Sequence, residues 1–204
     1  MKTRLKDRKR LVIGLTGCFG SGKTTVAAML HAYGARVIDA DAIGHRLLQK
    51  GTGVYSSIVR RFGSGILAGD KTIDRRALAG VVFASRARLQ QLNKIIHPEI
   101  IRIIKNEIAK VRKGVVVLDA PLLVETGFQR YVDRLVVVES DRKRLICRIQ
   151  ARTSLSKAAI LRRIRVQIPL QDKVRMADFV IDNNGTRKDL RKQVAVIRRM
   201  WWTS

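Results

Sequence analysis

Residues 17–24 read Gly-Cys-Phe-Gly-Ser-Gly-Lys-Thr, a G-x-x-x-x-G-K-[ST] spacing placed directly after an apolar run and directly before a segment of helical period. Gly17, Gly20 and Gly22 permit a tight turn in which successive backbone N–H groups converge on phosphate oxygens. The N-terminus of the following helix adds its partial positive charge. In such a loop Lys23 reaches the β- and γ-phosphates and the Thr24 hydroxyl binds Mg²⁺. Cys18, Phe19, Ser21 and Thr25 complete the nucleotide-binding stretch, with Cys18 read as a small space-filling residue. The chemistry is that of a nucleoside triphosphate with Mg²⁺, but the loop does not name the group that receives the phosphoryl.

Asp39 and Asp41 follow the next apolar run, at the carboxyl edge of a sheet where ligands of open α/β folds bind. Residues two apart on an extended chain point the same way, so both carboxylates are expected to face the nucleotide crevice. One of them can orient an acceptor hydroxyl and take its proton. Asp41-Ala42-Ile43-Gly44 also spells D-x-x-G, which would suit a GTPase. The N-K-x-D that reads guanine is missing, since Asn93-Lys94 is followed by Ile95-Ile96.

The elements that must position these residues alternate between strand-length apolar runs and helical periodicity, which predicts an α/β fold with a parallel sheet. Strands are expected over 11–16, 35–38, 115–118, 135–138 and 179–181. Helices are expected over 24–33, 42–50, 54–62, 74–83, from Ser85 to His97, over 99–112, and from Arg187 to Trp202. Pro98 is placed at the first turn of its helix, where its missing N–H costs nothing. Glycines make 63–71 a loop. Arg142–Gln171 holds nine Lys or Arg and no acid, on two helices joined near 153–156.

Composition sets outer bounds. The chain has 204 residues, 42 Lys+Arg against 16 Asp+Glu, a net charge of +26 and 46% hydrophobic residues. That excludes disorder as the main state and predicts acidic partners. No apolar run approaches the ~20 residues of a membrane span. Two cysteines exclude a disulfide framework and fit a reducing, cytoplasmic setting. The basic decamer 1–10 before LVIGLTGCFG imitates a signal peptide, but Gly14 and Gly17 interrupt the apolar run and no A-x-A-like site follows. It is read as a solvated leader. The last helix carries Arg187, Lys188, Arg191, Lys192, Arg198 and Arg199 and ends in Trp201-Trp202, read as a solvated helix whose indoles pack on the domain.

Five segments together, VIGLTGCFGSGKTTVA, VIDADAIGHRLL, NKIIHPEI, VVLDAPLLVETGF and RRIRVQIPLQDKVRMADFVIDNNG, resemble the dephospho-coenzyme A kinase family over about residues 11–190. The resemblance implies a fold similar to nucleoside monophosphate kinases, and transfer of a phosphoryl group from ATP, with Mg²⁺, to the ribose 3′-hydroxyl of dephospho-CoA. It implies that Asp41 is the base or orienting group for that hydroxyl, with Asp39 beside it as a second candidate. His97 and the Pro121–Glu125 segment, including Leu122, would line the acceptor side, and Asp119 would join the Mg²⁺ shell. Arg148, Arg152 and Arg163 would be lid arginines closing on the triphosphate, and Asn183 and Gly185 would lie near the adenine. Two departures from the family pattern are Thr153 after the lid arginine, where an acid is common, and Cys18-Phe19 where Gly-Ile is usual.

The expected architecture is a three-layer phosphate-loop fold with a five-stranded parallel sheet as one domain over 11–204. It carries an acceptor-binding helical insert over about 42–113 and a lid over about 142–171. Alternatives of the same and of a different class are a nucleoside monophosphate kinase and a nucleic-acid-binding phosphate-loop ATPase. The surface charge leaves weak nucleic-acid binding open.

Overall fold

The structure is a computed structural model that describes residues 10–153 and 155–202, so the expected leader lies outside the described residues apart from Arg10. Five strands, β1 (Arg10–Gly17), β2 (Arg36–Asp39), β3 (Gly114–Asp119), β4 (Arg134–Glu139) and β5 (Phe179–Asp182), form one parallel sheet in the order β2-β3-β1-β4-β5. The five-stranded parallel expectation is borne out. Parallel sheets are covered on both faces, which is why the strands read as unbroken apolar runs. Ile13, Leu15, Val117, Val136, Val138 and Ile181 form one core face, against Val26 and Leu30 of α1 (Lys23–Ala32). Leu190, Val194 and Ile197 of α9 (Arg187–Trp201) close the same core. Val12, Val116, Leu118, Leu135 and Val137 alternate with these and are buried too.

The chain folds into two compact units, one made of the residues up to Asp39 and from Ile108 onward, the other of Ala40–Glu107. The first holds the sheet together with α1, α6 (Arg142–Arg152), α7 (Lys157–Arg165), α8 (Leu170–Met176) and α9. The second holds α2 (Ala40–Leu47), α3 (Gly53–Phe62), α4 (Arg75–Phe83) and most of α5 (Arg86–Lys110). In the second unit Thr52 caps α3 by accepting from Tyr55 N–H, and Asp74 caps α4 by accepting from the Arg76 and Ala77 N–H groups. Ala40, Ile43, Leu47, Val54, Ile58, Leu78 and Val82 are its buried apolar residues on α2 to α4. In the first unit, Trp201 meets Phe179 edge-on at 6.2 Å, and both terminal tryptophans pack on the sheet core.

Four expectations change. First, α5 is one continuous helix with Pro98 in its interior, where two helices were expected to meet. The absent proline N–H removes one intrahelical bond, and burial of Ile104 and Ile108 further along the helix offsets that loss. Second, Asp41 lies in the first turn of α2, two residues past the end of β2, so it does not continue the extended chain beyond Asp39. An acid in a first helical turn is favoured by the amide dipoles, which explains why the helix starts this early. Third, the second of the two helices expected within 142–171 ends at Arg165, and a separate α8 begins at Leu170. Fourth, the glycine-rich 63–71 stretch contains a 3₁₀ turn, Ser64–Ile66, and Leu67 bridges Ile73.

Because α5 continues through Pro98, His97 is a mid-helix residue, half-buried, and burial pushes its imidazole below its ordinary pKa. The neutral ring is therefore the folded form at pH 7, and the unfolded chain takes up a proton first as pH falls. Its contribution should be intact above the ordinary histidine range and lost as pH drops below about 6.5. Urea unfolding midpoints measured at pH 7.5 and 5.5 should fall with acidification less in His97→Gln than in the parent. Equal falls in the two proteins would remove His97 as a cause.

Candidate functional site

β1 is the central strand, and its carboxyl end delivers the chain into the phosphate loop beneath α1. The N-cap of α1 is Gly22, in the left-handed region at φ 98°, and no side chain caps this helix end. A Cβ at Gly22 would collide with the Asn183 side-chain amide, and one at Gly17 would collide with Val138 O. Only glycine satisfies both the backbone angle and the space at these two points. The N-terminus of α1 carries no side-chain cap, and its partial positive charge favours an anionic ligand there. Lys23 is almost fully buried, and its ammonium donates to Cys18 O at 3.2 Å and Gly17 O at 3.5 Å, curled over the loop. Thr24 is exposed and Thr25 half-buried.

Two carboxylates end adjacent strands on the same edge. Asp39 and Asp119 are direct register partners between β2 and β3, and Asp119 is also the partner of Leu15 on β1. Like charges side by side at strand ends repel unless a cation or a donor lies with them. The Thr24 hydroxyl and the Asp119 carboxylate are hard oxygen donors of the type Mg²⁺ takes, usually alongside substrate phosphates.

On the other side of β1, the turn after β5 closes a cavity of about 330 Å³ lined by Gly20, Gly22, Arg148, Asn183, Gly185 and Arg187, among others. Asn183 fixes this turn to the loop: its side-chain amide donates to Ser21 O at 2.7 Å and its backbone N–H donates to Glu139 O. The Arg148 guanidinium donates to Asn183 O at 2.8 Å and to Ser140 Oγ at 3.4 Å. Arg148 thus holds the wall of the cavity with both terminal nitrogens of its guanidinium. Arg163 lies over the Phe19 ring at 5.1 Å. Arg152 ends α6, and its side chain lies outside the described residues.

Cys18, Leu145, Ile149 and Ile160 form a small apolar core that joins α6 and α7 to the phosphate loop, with Phe19 and Ile164 packed on it. Burial pushes the Cys18 thiol up, against the pull of Lys173 and Lys23. It is a thiol and a packing residue, as its size suggested.

The segment after β3 is tied in from below. Pro121 O accepts from Thr16 Oγ1 at 3.1 Å, from Gln167 Nε2 at 3.1 Å and from Lys173 Nζ at 2.8 Å. Glu125 pairs with Lys173 at 2.8 Å and accepts from Ile168 N–H, while Leu122 is exposed. Gln167 and Lys173 received no role from the sequence. Lys173 is one cation in a basic chain, and nothing in its spacing marks it as the fully buried one. The only hint was Glu125, the single acid of its segment and so in need of a partner.

The structure thus brings the loop residues 17–25, Asp39, Asp119, Pro121, Glu125, Arg148, Arg163 and Asn183 into the unit that carries the sheet, whereas Asp41 and His97 belong to the Ala40–Glu107 unit.

Comparison with known proteins bears on the same residues. The family profile described as Dephospho-CoA kinase matches residues 11–189. The chain is 45% identical over 186 residues to the dephospho-CoA kinase of Symbiobacterium thermophilum, covering 90% of this chain and 78% of that protein. Among solved structures it resembles a Thermus thermophilus protein, with a TM-score of 0.86 and 33% identity over 96% of this chain and 99% of the other. It also resembles the dephospho-CoA kinase of Campylobacter jejuni, with a TM-score of 0.60 and 25% identity over 94% and 97%.

The buried Lys173–Glu125 pair generates a test. Lys173→Met leaves the Glu125 carboxylate, 13% exposed, without its cation, and should lower unfolding free energy by about 3–5 kcal/mol. Combining it with Glu125→Leu should recover most of that loss in urea denaturation. A single-variant loss below about 1 kcal/mol would mean that water replaces the lysine.

Proposed function

The chain belongs to the dephospho-coenzyme A kinase family, and on that premise we propose that it transfers the γ-phosphoryl group of ATP to the ribose 3′-hydroxyl of dephospho-CoA, giving coenzyme A and ADP. The observation that carries this reading is the phosphate loop at the end of the central strand, with Asp39 and Asp119 in register beside it.

Each residue has a task that follows from its chemistry. The N–H groups of the Gly17–Thr25 loop hold the phosphates, and Lys23 neutralises charge on the group in transfer. Thr24 and Asp119 hold Mg²⁺, which when bound offsets the charge of the β- and γ-phosphate oxygens. Asp41 takes the 3′-hydroxyl proton, with Asp39 the second candidate for that role. His97, Pro121, Leu122 and Glu125 belong to the acceptor side. Glu125 acts there through its pair with Lys173, which fixes the segment's backbone. Arg148 and Asn183 shape the nucleoside cavity, and Arg152 and Arg163 bring positive charge from the lid. Water exclusion by the lid favours transfer to an alcohol over hydrolysis.

The Ala40–Glu107 unit is proposed as the acceptor-binding insert and 142–171 as the lid, in a cytoplasmic enzyme. Among the described residues no helix is long and apolar enough to cross a membrane.

Purified protein mixed with Mg-ATP and, separately, dephospho-CoA, AMP, CMP and RNA should release ADP and add one phosphate's mass only to dephospho-CoA. Phosphorylation of a nucleoside monophosphate alone would reassign the acceptor, and ATP hydrolysis stimulated only by RNA would overturn the kinase. Lys23→Ala should cost about 3 kcal/mol or more of transition-state stabilisation, read as kcat/KM. Asp41→Asn should lower kcat far more than it raises KM for dephospho-CoA, whereas the reverse split would make Asp41 a binding residue.

A further inference from the structure

One side chain outside every role assigned above touches the phosphate loop at two backbone points. Gln167 Oε1 accepts the Phe19 N–H at 2.8 Å, while its Nε2 donates to Pro121 O at 3.1 Å and to Gly17 O at 3.4 Å. Gly17 and Phe19 are the first and third residues of the loop, so this carboxamide spans the turn on which the rest of the loop is built. A primary amide is suited to this position because it accepts and donates from the same planar group. A carboxylate would accept from Phe19 but face two carbonyl oxygens, and a methionine would do neither.

Gln167 sits two residues beyond the end of α7, on the chain that leaves the lid. Four residues earlier, Arg163 lies over the ring of the same Phe19 whose N–H Gln167 holds. The lid is therefore fastened to one loop residue twice, at the ring by Arg163 and at the backbone by Gln167. Lys173, on α8, reaches Pro121 O, the oxygen that Gln167 also uses, and its Glu125 partner holds the Ile168 N–H next to Gln167.

We propose that Gln167 is a positioning residue for phosphoryl transfer, fixing the first turn of the phosphate loop through the Phe19 N–H and coupling that turn to the seating of the lid. The proposal rests on the kinase reading for its catalytic consequence, while the bond itself does not. Gln167 acts through Phe19 and Gly17, so its loss displaces groups aimed at the transition state more than it alters acceptor binding.

Gln167→Met and Gln167→Glu, with parent protein as control, provide the test, each first checked for cooperative thermal unfolding. Amide hydrogen exchange at Phe19, followed by NMR, should accelerate about tenfold or more in Gln167→Met, as expected when a hydrogen bond of roughly 1.4 kcal/mol is lost. The kcat for dephospho-CoA phosphorylation should fall about 10- to 100-fold, with KM for dephospho-CoA changing less than about threefold. ADP formed per phosphorylated product should rise above one as water gains access. Gln167→Glu should retain slower Phe19 exchange than the methionine variant yet lose kcat, because its carboxylate faces Gly17 O and Pro121 O. Unchanged Phe19 exchange would remove the bond, and a folded variant with lowered melting temperature but unaltered kcat would reduce Gln167 to a structural residue. Parent protein inactive on dephospho-CoA would instead reject the kinase reading, and the exchange arm would still decide the latch.

Discussion

Everything in the sheet unit is arranged around one constraint, that the chain leaving the central strand must turn its N–H groups inward before α1 begins. The turn requires left-handed backbone at Gly22, next to a side chain that a Cβ would strike. It also requires support, because a glycine-rich backbone gains order only from what holds it. Asn183 holds Ser21 from the β5 side, Gln167 holds Gly17 and Phe19 from the chain between α7 and α8, and Thr16 fixes Pro121 from below. The strand order places these supports where they are needed. β1 lies between β3 and β4, so the chains leaving β3 and β4 flank the loop and β5 follows next to β4.

Much of this was legible in the residues. The five strands are apolar because both sheet faces are covered, and such runs are hard to mistake when glycines and acids bound them. The phosphate loop was legible because its chemistry restricts residue types at fixed spacing. The caps Asp74 and Thr186 were also within reach of the rules, since each precedes a helical pattern and accepts its first amides.

Other features depended on energies that no local pattern carries. Pro98 reads as a helix start, yet α5 runs from Arg86 to Lys110, because burying apolar residues along one long helix outweighs a single missing hydrogen bond. Asp41 reads as strand-like when Asp39 is, yet α2 begins at Ala40, and the carboxylate gains more from a helix N-terminus than from an extended chain. Lys173 and Gln167 were silent for a different reason. Their importance lies in contacts with Pro121, Glu125 and Phe19, which stand 46 or more residues away in sequence. Long-range polar pairs leave no periodic trace, whereas apolar faces do.

The few acids of this basic chain are placed where backbone donors need them. With 16 acids against 42 basic residues the net charge is +26, and each acid keeps its negative charge in that sum whatever backbone donor it holds. Asp74 and Asp141 cap α4 and α6, and Asp189 closes a capping box with Thr186, whose hydroxyl and N–H hold its carboxyl below the ordinary range. Asp133 and Asp178 accept the Val12 and Leu135 N–H groups where strands enter the sheet, and Glu125 accepts from Ile168. These acids satisfy backbone donors, a task that a lysine or arginine cannot perform, while the basic excess of the sequence dominates the field at a distance. A field of that sign draws polyphosphates toward the loop and repels the protein's own surface, and added salt weakens both effects. Two polyphosphate substrates bring too few charges to offset +26, so most of that field persists when the site is filled.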